Sequence, residues 1–193
     1  GNIAANGHLH KGLKPVHWCM DCASALAEAE VEYEDKQSHA VDVAFAVKDL
    51  ADFAQRAGLA TVPNAVDFVI WTTTPWTLPA NQAVSLHPEL VYVVVQADIA
   101  GQTRILVLDQ ALYEATLVRY QAENIHVLAE VVGQAFEHVA LQHPFYERVV
   151  PVIVGEHVTA DAGTVAVHTA PGHGQDDFII GKKYDLLVDN PVD

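Results

Sequence analysis

Apolar and polar side chains alternate along this chain in short runs, and few of those runs have a helical period. Residues 27–34, AEAEVEYE, alternate strictly: Ala27, Ala29, Val31 and Tyr33 fall on one side, Glu28, Glu30, Glu32 and Glu34 on the other. A period of two predicts a half-buried strand, despite the helix propensity of Ala and Glu. Residues 41–47, VDVAFAV, predict a second strand, with QSH as the turn before it. Further strands are predicted at 68–71, 125–132, 149–154 and 163–169, and 91–97 with 104–108 reads as a hairpin around DIAGQ. Helical spacing is rarer. Leu50, Phe53, Ala54 and Ala57 recur on one face of residues 49–57, and Gly58 is a stop signal. Asp109 is placed to cap a helix running to about Tyr120. Asp176 to Leu186 predicts a last helix, with Phe178, Ile179 and Leu186 apolar.

Many short strands with scattered helices argue against a doubly wound parallel sheet. The fold class they predict is α+β, mainly an antiparallel β-barrel with flanking helices. Residues 1–24 are rich in Gly, His and Cys without a period. They predict an irregular tether or half zinc knuckle ahead of a domain over residues 25–193.

Composition narrows the partners. With 193 residues and 51% hydrophobic content the chain can bury one core. Apolar runs such as VYVVV at 91–95 are too short to cross a bilayer. The opening GNIAANGHLHKG lacks the apolar centre of a signal peptide, so the expectation is a cytoplasmic protein without a membrane partner. The formal charge is −15, from 10 basic against 25 acidic residues. Such a surface repels a phosphate backbone and disfavours broad nucleic-acid binding, while leaving room for one nucleotide end in a pocket.

Three stretches bear on chemistry. Cys19 and Cys22 have the C-x-x-C spacing of half a zinc site, which His8, His10 and His17 can complete; the other reading is a pair of reduced thiols. WTTTPWTLPAN at 71–81 gathers four hydroxyls and two indoles where two prolines interrupt regular structure. GTVAVHTAPGHGQDD at 163–177 runs from a strand end through a glycine loop into a helix start. Backbone N–H groups point outward at such a junction. No Lys or Ser/Thr follows the glycines as in a P-loop, and the aspartates favour a cation, either a metal or an ammonium group. His168, His173, Asp176 and Asp177 are the metal-ligand candidates, although H-x4-H is not a standard spacing and Asp176 also suits a helix cap. Ser24, Ser38 and Ser85 lack a nucleophile-elbow context, so covalent catalysis finds no support.

Together, WTTTPWTLPAN, GTVAVHTAPGHGQDD and the N-terminal KPVHWCMDCASALAEAEVEYED resemble the editing domain inserted in bacterial-type isoleucyl-tRNA synthetases, over essentially the whole chain. Thr73-Thr74-Pro75-Trp76 is of the isoleucyl style, where valyl and leucyl enzymes have a threonine pair followed by Arg-Pro. Val165 stands where the family usually has glycine, and Phe178 where tyrosine is common. The signatures of amino-acid activation are absent, so the resemblance implies editing without activation. In the family, the second half of the zinc knuckle lies beyond the stretch matched here, and editing needs no cofactor.

The resemblance implies hydrolysis of valine misacylated on tRNA(Ile), with valyl-adenylate as a further substrate and isoleucine excluded by pocket size. For this very pair of amino acids the single methylene is known to be worth only about 1–3 kcal/mol in a binding pocket, so a second site must remove what fits it. The partners implied are the 3′-terminal adenosine of tRNA(Ile) carrying valine, and the remainder of a synthetase chain. Asp177 is implied as reader of the α-ammonium group, by a charge-assisted bond. Thr72, Thr73 and Thr74 are implied to position the ester and the water, with hydroxyls and N–H groups. His168 is implied to limit side-chain size, and by residue type it is also a general-base candidate. Trp76, Thr77, Asn81, Gly172 and His173 complete the implied substrate contacts. Trp71 and Trp76 can stack on the adenine or pack in the core, the core being the better reading for Trp71. A binding module without catalysis, and editing of the valine or leucine type, are the alternatives.

Overall fold

The computed structural model describes all of residues 1–193 except 10, 11, 36, 161, 162, 190, 192 and 193. The elements in order are α1 (Asn2–Ala5), β1 (His17–Cys19), β2 (Ser24–Leu26), β3 (Val41–Val47), α2 (Leu50–Arg56), β4 (Asp67–Thr72), β5 (Ala83–Leu86), β6 (Val91–Ile99), β7 (Gln102–Asp109), α3 (Tyr113–Arg119), β8 (Glu123–Val132), β9 (Ala140–Gln142), β10 (Val149–Val154), β11 (Val167–Thr169) and α4 (Gln175–Lys183). Short 3₁₀ helices cover Glu28–Glu30, Pro75–Ala80 and Gly133–Phe136.

Among the described residues, nine strands form one sheet in the order β11-β5-β10-β9-β3-β4-β7-β6-β8, and β1 and β2 form a separate hairpin. The sheet is mixed, because β5 runs parallel to β10 and β4 parallel to β7. It is also open: its edges, β11 and β8, do not pair with each other. The barrel expectation is corrected accordingly. Strand alternation reports which face is buried, and it does not report whether the two edges meet. β11 nonetheless comes back beside β4 without a ladder between them, and this proximity positions the site.

Local chemistry explains most elements. The Asp49 carboxylate caps α2 by accepting from the N–H groups of Ala51 and Asp52, and Gly58 ends it at φ +66°. The β6–β7 turn is Ala100-Gly101 with φ of 52° and 76°, the two-residue pattern that suits hairpin twist. Asp109 does not cap a long helix. It accepts from Ala111 N–H in a turn, and α3 begins only at Tyr113.

Two expected strands are revised. Residues 27–34 form a 3₁₀ turn and irregular chain, with Tyr33 83% exposed. The Glu30 carboxylate takes the Ala27 N–H at 2.7 Å, and among the described residues no strand pairs with this stretch. Residues 163–169 are a strand only from Val167, because Val165 is held in the left-handed region at φ 56°. A β-branched residue rarely adopts that conformation. Here Val165 is buried, and its carbonyl accepts from the Tyr92 hydroxyl at 2.9 Å.

The main core runs along one face of the sheet and includes Phe45, Phe53, Phe68, Leu86, Phe136 and Leu141. Phe53 of α2 stacks on Phe136 with ring centroids 5.4 Å apart, and Phe68 meets both edge-on. Each such ring contributes about 1.5–3 kcal/mol by leaving water. Leu117 seats α3 on β6 and β7, and Ile180 seats α4 on Ala83 of β5 and Ile153 of β10. No described helix is long and apolar enough to cross a membrane.

Candidate active site

The two unusual stretches meet at the β4 and β11 ends. β4 finishes at Thr72, and the chain then turns through Thr73 and Thr74 into the 3₁₀ helix of Pro75–Ala80. The sequence predicts only an interrupted turn there, so this helix is an addition. Pro75 suits its first position, and Pro79 has no N–H with which to make an α-helical bond to Pro75. The tighter pattern remains, with Thr77 N–H to Thr74 O at 3.1 Å and Asn81 N–H to Leu78 O at 3.0 Å.

The threonines divide into two groups. Thr72 is buried, and its hydroxyl oxygen accepts from Thr74 N–H at 3.1 Å. Thr77 is also buried, and its hydroxyl donates to Thr74 O at 2.8 Å and lies 3.0 Å from His168 Nε2. Thr73 is half-buried and Thr74 is exposed, so these two have the freer surfaces.

Opposite them, β11 pairs antiparallel with β5 and places His168 across from Val84 and Thr169 across from Ala83. Thr169 and Ser85 share a hydroxyl–hydroxyl bond of 2.6 Å beneath the site. His168 is 6% exposed. Burial pushes its imidazole from the usual 6.5 down to about 4, and the His173 and His143 rings add to the effect. It is therefore a neutral ring at neutral pH. Its Nδ1 is buried and has no partner among the described residues.

The glycine loop returns as α4, whose first turn carries Asp176 and Asp177. Asp177 Oδ2 accepts from Ala170 N–H at 2.8 Å, which locks the helix start to the end of β11. Burial raises its carboxyl above the usual range, and that bond and the nearby His157 and His173 pull the other way. A cation arriving at this carboxylate would offset the desolvation that raises it. Gly174 leaves the space it needs, since a Cβ there would stand 3.3 Å from Asp177 Cγ. Gly181 lets α4 lie on the loop, since a Cβ there would stand 2.7 Å from Pro171 Cγ.

A cleft of about 690 Å³ adjoins this arrangement, lined by Trp76, Gly172 and His173 on one side and by Lys14 and Trp18 of the N-terminal segment on the other. Trp76 is 58% exposed into it. Trp71 is half-buried and packs against the backbone of Gly163, which stands at φ +74°. Thr72, His168 and Asp177 are not among the walls of the cleft. His173 donates its N–H to Ala170 O at 2.8 Å, and its Nε2 is buried without a partner among the described residues.

Asn81 is fully buried, with its side-chain N–H on Ala83 O at 2.8 Å, so it braces the start of β5 and does not line open space. Two positions that the sequence does not single out support the same segment. His143 Nε2 lies 3.0 Å from Leu78 O, and its Nδ1 accepts the N–H groups of Phe145 and Tyr146. Arg148 donates to Asn81 O at 2.6 Å. Both tie the β9–β10 turn to the 3₁₀ helix, and their only sequence mark is the turn they occupy.

Cys19 and Cys22 lie on the β1–β2 hairpin, with Cys22 N–H donating to Cys19 Sγ at 3.3 Å. Among the described residues no group of three or more His, Cys, Asp or Glu gathers as metal ligands. That holds for the hairpin and for the His168–Asp177 loop, while His10 lies outside the described residues. Two thiols alone do not fill a tetrahedral zinc site.

The geometry is a hydroxyl-rich turn bonded to a neutral histidine, with a desolvated carboxylate anchored to the backbone two residues beyond that histidine. The family described as tRNA synthetases class I (I, L, M and V) matches residues 1–167, and the chain belongs to that family. Within it, an isoleucine–tRNA ligase of Thiobacillus denitrificans is 60% identical over 193 residues, 100% of this chain and 20% of that protein. One of Alcanivorax borkumensis is 58% identical over 192 residues, with the same coverage of each chain. The chain thus spans about one fifth of the length of the curated relatives it matches. Among solved structures, the cytosolic leucyl-tRNA synthetase editing domain of P. knowlesi superposes with a TM-score of 0.64 at 10% identity, over 80% of this chain and 68% of that one. The corresponding P. falciparum domain gives 0.63 at 12% identity, over 76% and 67%. These likenesses establish the fold.

Proposed function

We propose that this chain is the editing domain of an isoleucyl-tRNA synthetase and hydrolyses the ester of valine misacylated on tRNA(Ile), acting also on valyl-adenylate. The observation that carries the reading is the meeting of two distant segments. The Thr77–His168 contact joins positions 91 residues apart, and Asp177 is bonded to the backbone two residues beyond His168. The likeness to isoleucine–tRNA ligases at 60% identity supports the choice of amino acid.

The chemistry follows from the groups present. Asp177 holds the α-ammonium of the bound aminoacyl group through its carboxylate. Thr73 and Thr74, the less buried threonines, offer hydroxyl and N–H groups to the ester and the attacking water. The buried ring of His168 sets the wall that admits valine and excludes isoleucine. A water held in line with the ester carbonyl gains rate chiefly from orientation. Trp76, half out of the protein beside Gly172 and His173, receives the adenosine by stacking. The remainder of the synthetase brings the tRNA end to this pocket.

The test is deacylation of valyl- and isoleucyl-tRNA by the chain and two variants. Asp177→Asn is expected to lose hydrolysis by about 100-fold or more while keeping its fold by circular dichroism. His168→Ala is expected to hydrolyse valyl-tRNA at a reduced rate and to begin cleaving isoleucyl-tRNA. Full activity in Asp177→Asn would remove the ammonium assignment. Loss of all hydrolysis in a folded His168→Ala would replace the size-limiting role with a catalytic one.

A further inference from the structure

The hydrogen bonds around Thr77 point to one proton arrangement at His168. A threonine hydroxyl carries a single hydrogen. In Thr77 that hydrogen goes to Thr74 O at 2.8 Å, so toward His168 Nε2, at 3.0 Å, its oxygen can only accept. With that donor direction His168 carries its hydrogen on Nε2 and a bare lone pair on Nδ1. That Nδ1 is a buried acceptor with no partner among the described residues. A buried acceptor left unpaired is costly, and such groups recur where a ligand completes the bond.

We propose that Thr77 is a positioning residue that locks His168 in its Nε2–H tautomer, so that Nδ1 accepts from an O–H group of the bound ligand. This rests on the hydrolytic reading above, in which Asp177 takes the ammonium group and the remaining O–H donors are the attacking water and a ribose hydroxyl. Thr74 belongs to the same device, since its carbonyl takes the Thr77 hydrogen and so orients the hydroxyl oxygen toward the ring. The lock gives the pocket polarity. The opposite tautomer would turn an N–H toward the ligand, favouring a carbonyl oxygen and repelling the hydrogen of a hydroxyl.

The test is long-range ¹H–¹⁵N spectroscopy on the intact, histidine-labelled chain near neutral pH, combined with deacylation kinetics. The wild type is expected to show pyrrole-like Nε2 and pyridine-like Nδ1 for His168. Thr77→Val is expected to yield a tautomer mixture and a kcat lower by about tenfold, with KM little changed, while Thr77→Ser restores both. If the Thr77→Val penalty vanishes on tRNA lacking the terminal ribose hydroxyl, the donor is that hydroxyl; if it persists, the donor is water. An Nδ1–H ring in the wild type, or identical ring signals in Thr77→Val, would overturn the lock. The wild-type spectrum and the Thr77→Ser variant decide the matter should Thr77→Val not fold. A chain with the expected tautomer but without deacylation would remove the hydrolytic reading and leave the lock in place.

Discussion

Acidification should destabilise this chain through His168, and the size of the effect follows from its surroundings. The ring is 6% exposed, and burial lowers it from 6.5 to about 4. Between those values the unfolded chain takes up a proton that the folded chain refuses. Stability therefore rises with pH in this window; the contribution is fully present above 6.5 and lost as pH falls through about 4. At 1.36 kcal/mol per unit the ceiling is about 3 kcal/mol, of which about 2 kcal/mol is lost between about pH 7 and about pH 4.5. That is a large share of the stability typical of a domain, about 5–15 kcal/mol. His143, also lowered by burial, acts in the same direction. Asp177 and Asp109 are raised by burial and act oppositely, their contribution being lost as pH rises. Comparison with His168→Gln cancels those shared terms, and the glutamine amide can still donate to Thr77. Urea unfolding followed by circular dichroism at the two pH values should show the wild type losing about 2 kcal/mol more than the variant. Equal losses would refute the assignment of a buried neutral ring.

His143→Ala should destabilise the chain by about 2–4 kcal/mol in the same assay, because it empties a buried site and strands the Leu78 carbonyl and two turn N–H groups. Gly181→Val should cost about 1–3 kcal/mol by pushing α4 off Pro171. It should also reduce deacylation more than Gly58→Ala does, since Gly181 belongs to the helix that carries Asp177 and Gly58 does not.

Periodicity found β3, β4, β6, β7, β8, β10 and the end of β11, but not β5, whose four residues are all buried and so do not alternate, nor the three-residue β9. Residues 41–47 and 149–154 match their predicted limits, and the 91–109 hairpin differs only at its tips. The pattern failed where pairing depends on distant chain. AEAEVEYE has perfect alternation and no neighbour, so its backbone turns to a local carboxylate. Strand order, the two parallel pairings and the open edges have no local signature at all. Within the site, motif reading found the threonines, His168 and Asp177, but not who pairs with whom. Asn81 and Thr77 read as lining polar groups, while the structure uses their side chains internally. The braces at His143 and Arg148 act across 65 and 67 residues of sequence, beyond the reach of any spacing rule.

β11 has three residues and, among the described residues, a strand partner on one side only. Such a strand is among the first to exchange its amide hydrogens, because a short edge can lift away while the sheet beneath stays folded. His168 rides on it, and Asp177 is anchored at its end. The pocket and the core therefore need not melt together: warming can disassemble the site in a subglobal opening that ordinary unfolding curves do not register. The Thr77–His168 bond, spanning 91 residues, then acts as a latch on that opening as well as a tautomer device. A ligand bridging Asp177 and the threonines would close the latch from the other side, so occupancy would appear as slowed exchange across β11 before it appeared as a higher melting temperature.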